Sequence, residues 1–263
     1  IYNFTITGYG NYTGEVKATW QITAREVTPA IEVASCSYTG DALEPNVTVK
    51  DDLGNTIDPK EYEIFFSNNT NAGTGRVTIK DVAGGNYVIK EKTQDFTITK
   101  AAAPTGIQTG TLNVVNGTTL EYTYDAKQIL PDAPKGTYGT VLYSGEHSSD
   151  FESGYTVNSF KVGINSGVLT LTIDAQNGRE TGKIGSVTIY VTTDNYEIFN
   201  LPLDLCAVDK ITPVVDGDIT ASNITYGDEL SKSTISGKMQ DPTTSKAVNG
   251  TFAWTDGTIK PAA

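Results

Sequence analysis

The chain has 263 residues, enough for two domains, and its 31 acidic and 19 basic side chains give a formal net charge of -12. This acidity argues against a nucleic-acid partner and against an anionic membrane surface, because both require a basic patch. No apolar run approaches the roughly 20 residues of a membrane-spanning helix, so we expect no membrane insertion. Met239 is the only methionine, and we therefore expect the chain to be part of a longer polypeptide.

Apolar residues alternate with polar ones along much of the chain, which predicts short β-strands with one buried face. The alternating residues are Val47 and Val49; Tyr62, Ile64 and Phe66; Val77 and Ile79; Phe96 and Ile98; Leu169, Leu171 and Ile173; Val187, Ile189 and Val191; and Leu201, Leu203 and Leu205. Helical periodicity is limited to residues 124–130, one or two turns that Pro131 would end. This pattern predicts an all-β protein of the β-sandwich class with mainly antiparallel strands.

Turn residues separate these strands. Asn116-Gly117 lies between alternating segments and predicts a β-hairpin, because both residues tolerate a positive φ. Pro202 cannot donate to a ladder and predicts an edge strand or a bulge. The polar stretch 68–75, "NNTNAGTG", predicts a connection between two strands of one unit.

Similar segments recur along the chain, each with an alternating strand, a turn that ends in Asn-Tyr and a closing strand. The three turns end in Asn11-Tyr12, Asn86-Tyr87 and Asn195-Tyr196. The repetition predicts four pieces. They are residues 1–25 as the end of a preceding repeat, 26–100 as a complete repeat domain, 101–209 as a larger β domain, and 210–263 as the beginning of a further β domain.

The segment "YTGDALEPNVTVKDDLGNTIDPKEYEIFFSNNTNAGTGRVTI", followed by "GGNY" and "DFTIT", resembles the tandem Ig-like, glycine-rich repeats of large bacterial cell-surface proteins, common in Gram-positive gut bacteria. Residues 101–131 and 182–210 resemble companion domains of the same proteins. The resemblance implies tandem Ig-like β-sandwiches in a secreted or wall-anchored protein. It supplies no catalytic residue.

No arrangement of residues indicates catalysis. His147 is the only histidine, and neither a G-x-S-x-G nor an H-E-x-x-H motif accompanies it. Asp150 and Glu152 are neighbours of the kind that 31 acidic residues produce by chance. Cys36 and Cys206 lie far apart, are interpreted as small apolar residues, and are too few for a cysteine-based zinc site. We expect no enzyme and no cofactor.

Calcium is the one metal that the sequence leaves open. Residues 51–58 and the Asp216-Gly217-Asp218 turn supply oxygen ligands, but neither has the spacing of an EF-hand loop. Residues 51–58 are also interpreted as a hairpin loop.

The 138–155 stretch has the weakest strand pattern and several unassigned aromatic residues. Tyr138, Tyr143, His147 and Tyr155 are the candidate ligand contacts there, the alternative being an ordinary long connection.

Two functions remain. The first is a non-catalytic spacer or stalk of an extracellular protein at the bacterial cell surface, a monomer whose partners are neighbouring domains of the same polypeptide. The alternative is an adhesive or carbohydrate-binding module that contacts a host glycan or protein through residues 138–155.

Overall fold

The computed structural model describes residues 1–242 and 245–262. Thr243, Thr244 and Ala263, which fall in the predicted 210–263 segment, lie outside the described residues. The described residues form strands and three short 3-10 turns, and none of these turns has the length or hydropathy to cross a bilayer. The prediction of an all-β protein with mainly antiparallel strands is confirmed.

The chain begins with a hairpin of two antiparallel strands, β1 (Tyr2–Thr7) and β2 (Glu15–Trp20). Its apolar side chains, including Phe4, Ile6 and Trp20, lie on one face of the hairpin and are exposed. The rings of Tyr2 and Trp20 lie 5.7 Å apart between centroids.

The next eight strands form what we call the first unit. They are β3 (Arg25–Val27), β4 (Ala30–Val33), β5 (Cys36–Ser37), β6 (Val47–Lys50), β7 (Tyr62–Ser67), β8 (Gly73–Asp81), β9 (Tyr87–Ile89) and β10 (Lys92–Thr99). A four-stranded sheet has the order β5-β10-β8-β7, while β4 pairs with β6 and β3 pairs with β9 in parallel. The alternating residues Val49, Val77 and Ile79 are fully buried in its core.

Seven further strands form the second unit. They are β11 (Gly110–Val115), β12 (Thr118–Asp125), β13 (Val141–His147), β14 (Tyr155–Val162), β15 (Val168–Ala175), β16 (Gly182–Thr193) and β17 (Phe199–Val208). One sheet has the order β11-β17-β16-β13 and the other β12-β15-β14. Their inner faces meet in a sandwich, and Leu171 of β15, Ile189 of β16 and Leu203 of β17 have no exposed surface.

Short strands follow in residues 210–262. They are β18 (Val214–Val215), β19 (Thr220–Ala221), β20 (Ile235–Ser236), β21 (Met239–Gln240) and β22 (Ala247–Val248). They pair as β18-β21-β22 and β19-β20.

The Asn116-Gly117 turn does not make the predicted hairpin. Gly117 has a φ of 67°, as such a turn requires, but β11 and β12 belong to opposite sheets. The Asn116 side chain donates to Arg179 O at 2.8 Å and accepts from the Tyr155 hydroxyl at 2.6 Å. These bonds fix the turn at the edge of the sandwich, where the chain crosses between sheets.

Two other sequence predictions are refined by the pairing. Pro202 lies in β17, a strand with neighbours on both sides, yet β11 begins only opposite Leu203, so the position of Pro202 is a local edge. The helical pattern at 124–130 reduces to one 3-10 turn, Ala126–Gln128, where the Asp125 carboxylate accepts from Lys127 N at 3.0 Å.

Three hairpins share one register. Phe96 lies opposite Gly75 in β8–β10, Leu205 opposite Gly185 in β16–β17, and Trp20 opposite Tyr2 in β1–β2. The glycine in β8 leaves space for an aromatic ring, because a Cβ at Gly75 would lie 2.5 Å from Phe96 Cζ.

Candidate functional site: the junction between the two units

No linker separates the first unit from the second. Strand β10 ends at Thr99, and Ala101 already forms a parallel bridge with Tyr196. Ala101 N donates to Asn195 O and Glu197 N donates to Ala101 O, each at 2.9 Å. Lys100 Nζ donates to Thr193 O at 2.6 Å. The polypeptide therefore enters the second unit directly from the last strand of the first.

The Asn195 side chain joins the two units through a buried amide. Its Oδ1 accepts from Ala72 N at 2.9 Å, and its Nδ2 lies 3.2 Å from Asn71 Oδ1 and 3.0 Å from Thr137 O. Asn195 has no exposed surface. A buried amide that loses a partner is costly, since the unpaired group is no longer solvated. The 68–75 loop of the first unit is thus hydrogen-bonded to the second.

Tyr38 contributes the largest side chain from the first unit. Its hydroxyl donates to Thr137 O at 3.1 Å and accepts from Thr137 N at 2.9 Å. Its ring meets that of Tyr196 edge to face, with centroids 5.6 Å apart, and Tyr196 meets Tyr138 in the same way at 5.2 Å. Edge-to-face aromatic pairs add about 0.5–1.5 kcal/mol each beyond the area that they bury.

Backbone contacts backbone beside these rings. A Cβ at Gly40, in the first unit, would lie 2.7 Å from Gly136 N in the second. Both glycines have positive φ, 91° and 54°. Only residues without a side chain permit this approach.

Apolar packing continues across the junction. Tyr38, Phe96 and Ile98 of the first unit are buried in the same cluster as the sandwich core of the second. The two units consequently share part of one core.

Asp194, an exposed residue, stabilises the turn that precedes Asn195 by a hydrogen bond to the backbone. Its Oδ2 accepts from Thr140 N at 2.7 Å. This backbone bond and a side-chain bond from Thr140, helped by the charge of Lys100, hold the pKa of the Asp194 carboxyl below its usual value although burial raises it. The ionised form of Asp194 is therefore the one that the folded turn favours.

The structure separates the four residues predicted as ligand contacts. Tyr138, Tyr143 and Tyr155 are 8%, 3% and 7% exposed and lie in the core of the second unit, where burial raises the pKa of each phenol. His147 is exposed at the end of β13, beside Phe151 and Phe160 at centroid distances of 5.8 and 5.3 Å. Tyr138 precedes β13, Tyr143 lies within it and Tyr155 begins β14, and the sequence alternation around them was too weak to reveal that they point inward.

The acidic loop at residues 51–58 uses its buried carboxylate internally. Asp51 accepts from Leu53 N at 2.9 Å, from Asn55 N at 2.8 Å and from Arg25 Nη1 at 2.9 Å. Burial raises the pKa of Asp51, but the hydrogen bonds from Asn55, Leu53 and Arg25 outweigh burial and leave that pKa below its usual value. In the part of the chain that the structure describes, no group of three or more His, Cys, Asp or Glu side chains is placed to hold a metal. Calcium binding there or at residues 216–218 stays a prediction.

Sequence reasoning did not find the junction residues. Cys36 and Cys206 are free and half-buried. The signal that was available is the repeated Asn-Tyr pair, whose third copy supplies Asn195 and Tyr196.

Comparison with known proteins shows similarity of fold. No family model and no curated protein match the sequence. Among solved structures, the titin Ig tandem domains A164-A165 are 12% identical, with 70% of this chain and 98% of that chain covered and a TM-score of 0.24. The surface-layer protein SbsC, domains 4-9, is 16% identical over 79% of this chain and 32% of that chain, with a TM-score of 0.26.

The Escherichia coli adhesin FdeC is 14% identical over 86% of this chain and 76% of that chain, with a TM-score of 0.27. The predicted β-sandwich class with mainly antiparallel strands is confirmed by the sheet pairing and the core between the sheets. These low identities and TM-scores say nothing about what the chain binds.

Proposed function

We propose that this chain is a non-catalytic spacer segment of an extracellular bacterial surface protein, in which consecutive Ig-like units are held in a fixed relation. The observation that carries the proposal is the junction between the two units, which has no linker and is closed by buried hydrogen bonds and aromatic packing. A spacer must keep its domains apart and oriented, and such a junction does so without any chemistry.

The exposed surface of the chain supports an extended segment. Its solvent-accessible surface is 16901 Å² for a mass of 28.1 kDa. A compact monomer of that mass would expose about 11,000 Å². A spacer gains reach from this shape, and the net charge of -12 keeps the large surface solvated.

The shared register of the three hairpins supports a tandem-repeat origin. Equivalent positions face each other in all three strand pairs, although the side chains differ: Phe96 and Gly75, Leu205 and Gly185, and Trp20 and Tyr2. Repeated units that contact only their sequence neighbours build long, quasi-linear proteins.

The alternative proposal, an adhesive module, is favoured by one surface feature. His147 lies exposed beside the rings of Phe151 and Phe160, at the end of β13 and in the middle of the 138–155 stretch. A glycan or host-protein binding screen tests it with His147→Ala as the variant and Tyr9→Ala as the control. Binding that His147→Ala removes would support adhesion, and absence of binding would leave the spacer.

Residual dipolar couplings of the whole chain test the spacer. We expect amides of β8 in the first unit and β16 in the second to fit a single alignment tensor. The β1–β2 hairpin, which lacks such a junction among the described contacts, serves as the internal comparison. Independent tensors for β8 and β16 would contradict the proposal.

A further inference from the structure

We infer that the Asn86-Tyr87 turn of the first unit is a docking site for a polar loop of another Ig-like unit, placed before it in the same polypeptide. The inference rests on the proposed function, because it extends to a second junction the arrangement seen at the first. The loop that docks has the chemistry of Asn71-Ala72: a backbone N–H donor next to an asparagine.

The two Asn-Tyr turns receive their incoming strands identically. Arg25 N donates to Asn86 O at 3.0 Å, and Ala101 N donates to Asn195 O at 2.9 Å. Arg25 follows Trp20 by five residues, as Ala101 follows Phe96. Trp20 and Phe96 occupy the same register position in their hairpins. The chain therefore approaches both turns from the same direction.

The side chains of the two asparagines are also held alike within their own units. Asn195 Nδ2 donates to Thr137 O at 3.0 Å, and Asn86 Nδ2 donates to Glu61 Oε1 at 2.7 Å. Each amide is thereby oriented by its own unit. The remaining oxygen, Oδ1, is the atom that reaches across the junction at Asn195.

At the Asn86-Tyr87 turn the corresponding oxygen, Asn86 Oδ1, is free. Asn195 Oδ1 accepts from Ala72 N, whereas Asn86 Oδ1 accepts no hydrogen bond from any described residue. Asn86 is exposed while Asn195 is fully buried. An oriented acceptor without a donor is what the Asn195 turn would present if the 68–75 loop were taken away.

The adjoining tyrosines differ in the same sense. Tyr196 is 2% exposed because Tyr38 of the preceding unit covers its ring. Tyr87 is half-buried, and no described aromatic ring packs against it. The Asn86-Tyr87 surface thus has room for both elements of the docked partner, the loop amide and an aromatic ring.

The position of the docking loop follows from the hairpins. The 68–75 loop leads directly into β8, and β8–β10 has the register of β1–β2. A loop that leads into β1 would hold the same place relative to Asn86 as the 68–75 loop holds relative to Asn195. The partner is accordingly a unit of which β1–β2 is the final hairpin.

The test replaces residues 1–24 of the whole chain by a second copy of residues 26–100, so that the copy ends immediately before Arg25. We expect the copy to share one alignment tensor with the original first unit. We also expect the Ala72 amide of the copy to exchange with solvent at least about tenfold more slowly than it does when Asn86→Ala is introduced. Asn200→Ala, an exposed asparagine in β17, is the matched control and should leave the exchange unchanged.

A second variant avoids any effect of Asn86→Ala on its bonds to Glu61. Asn71→Ala in the copy alone should raise the exchange rate of the neighbouring Ala72 amide. The inference is overturned if the copy reorients independently while β8 and β16 still share one tensor, or if Asn86→Ala changes no more than Asn200→Ala. If β8 and β16 also reorient independently of each other, the spacer proposal is contradicted as well. The two proposals therefore fail through different results.

Discussion

The two Asn-Tyr turns have the same backbone bond to an incoming strand and opposite surroundings. Asn195 and Tyr196 are buried and contact the preceding unit, whereas Asn86 is exposed and Tyr87 is half-buried. The difference does not come from the turns themselves, since both orient their amide within their own unit. It comes from the Tyr38 ring and the 68–75 loop, which contact only the Asn195-Tyr196 turn.

The comparison teaches that burial at a domain end depends on the neighbouring domain. A residue can have the chemistry of a core position and lie at the surface until a partner covers it. Substitutions at matched positions of the two turns should therefore have unequal effects, and their difference measures what the junction contributes.

The largest difference is expected between Tyr196→Ala and Tyr87→Ala. Tyr196 packs between Tyr38 and Tyr138 and its hydroxyl bonds to Lys135 O at 2.5 Å, so its removal leaves a cavity and unpaired polar groups. We expect a loss of about 3–5 kcal/mol in the free energy of unfolding, as for other buried aromatic residues. Tyr87→Ala should lower the free energy of unfolding by about 1 kcal/mol, because half-buried Tyr87 buries less area than Tyr196.

Both variants are measured by urea unfolding. The two tryptophans, Trp20 and Trp254, lie outside the two units, so unfolding is followed by circular dichroism rather than by tryptophan fluorescence. Equal losses in the free energy of unfolding for Tyr196→Ala and Tyr87→Ala would show that the preceding unit does not stabilise the Asn195-Tyr196 turn.

The next effect concerns the contact of the two backbones. Gly40→Ala places a Cβ 2.7 Å from Gly136 N, while Gly54→Ala meets no atom within 4 Å. Their φ values, 91° and 85°, impose the same left-handed strain on alanine. We expect Gly40→Ala to cost about 1–3 kcal/mol more, the range for overpacking.

The alignment tensors of β8 and β16 should diverge in Gly40→Ala and remain common in Gly54→Ala. A pair of variants with equal stability and a common tensor would mean that the approach of Gly40 to Gly136 is not needed for the junction.

A smaller effect is expected from Tyr38→Phe, which keeps the ring and removes only the hydroxyl. Thr137 N then loses its acceptor at the junction. We expect a loss of about 0.5–1.5 kcal/mol, the range for one hydrogen bond, because Thr137 is exposed and water can reach the freed N–H. Faster exchange of the Thr137 amide should accompany it. Tyr9→Phe, at a fully exposed ring, is the control and should change neither quantity.

The smallest effect is expected from pH. The pKa of Asp194 is lowered in the folded protein by the Thr140 N–H, so its carboxylate stabilises the fold above the unfolded value of about 3.9. That stabilisation is lost as pH falls through the lower, folded pKa. The Thr140 amide resonance should therefore shift with a midpoint below the usual aspartate value, and Asp194→Asn should abolish the shift. A midpoint above that value would reverse the assigned direction.

Much of the fold could be predicted because alternation is a local property. Val77 and Ile79 identify β8, and Leu201, Leu203 and Leu205 identify β17, since the inward side chains of each strand enter the core of their own unit. The pairing of strands was less accessible. Asn116-Gly117 has the residues of a hairpin turn, but its two strands part to different sheets because Asn116 bonds to Arg179 and Tyr155, residues distant in sequence.

The candidate site could not be predicted for the same reason. The polar 68–75 loop is a connection in its own unit, as its sequence indicates, but its bond to Asn195 spans 123 residues. Tyr38 shows no special pattern, because its partner Thr137 belongs to another unit. The domain limits of 26–100 and 101–209 stay predictions.

Parallel pairing with the last strand of a unit has a mechanical consequence. In the second unit β11 pairs with β17 over six residue positions, from Gly110 with Leu203 to Val115 with Val208, and in the first unit β5 pairs with β10 over two. Tension along the polypeptide pulls such strands in opposite directions along their length, so their hydrogen bonds are loaded together in shear. The second unit, whose first and last strands are joined over six positions, is therefore expected to withstand the greater force, since the last strand of the first unit is joined to β5 over only two.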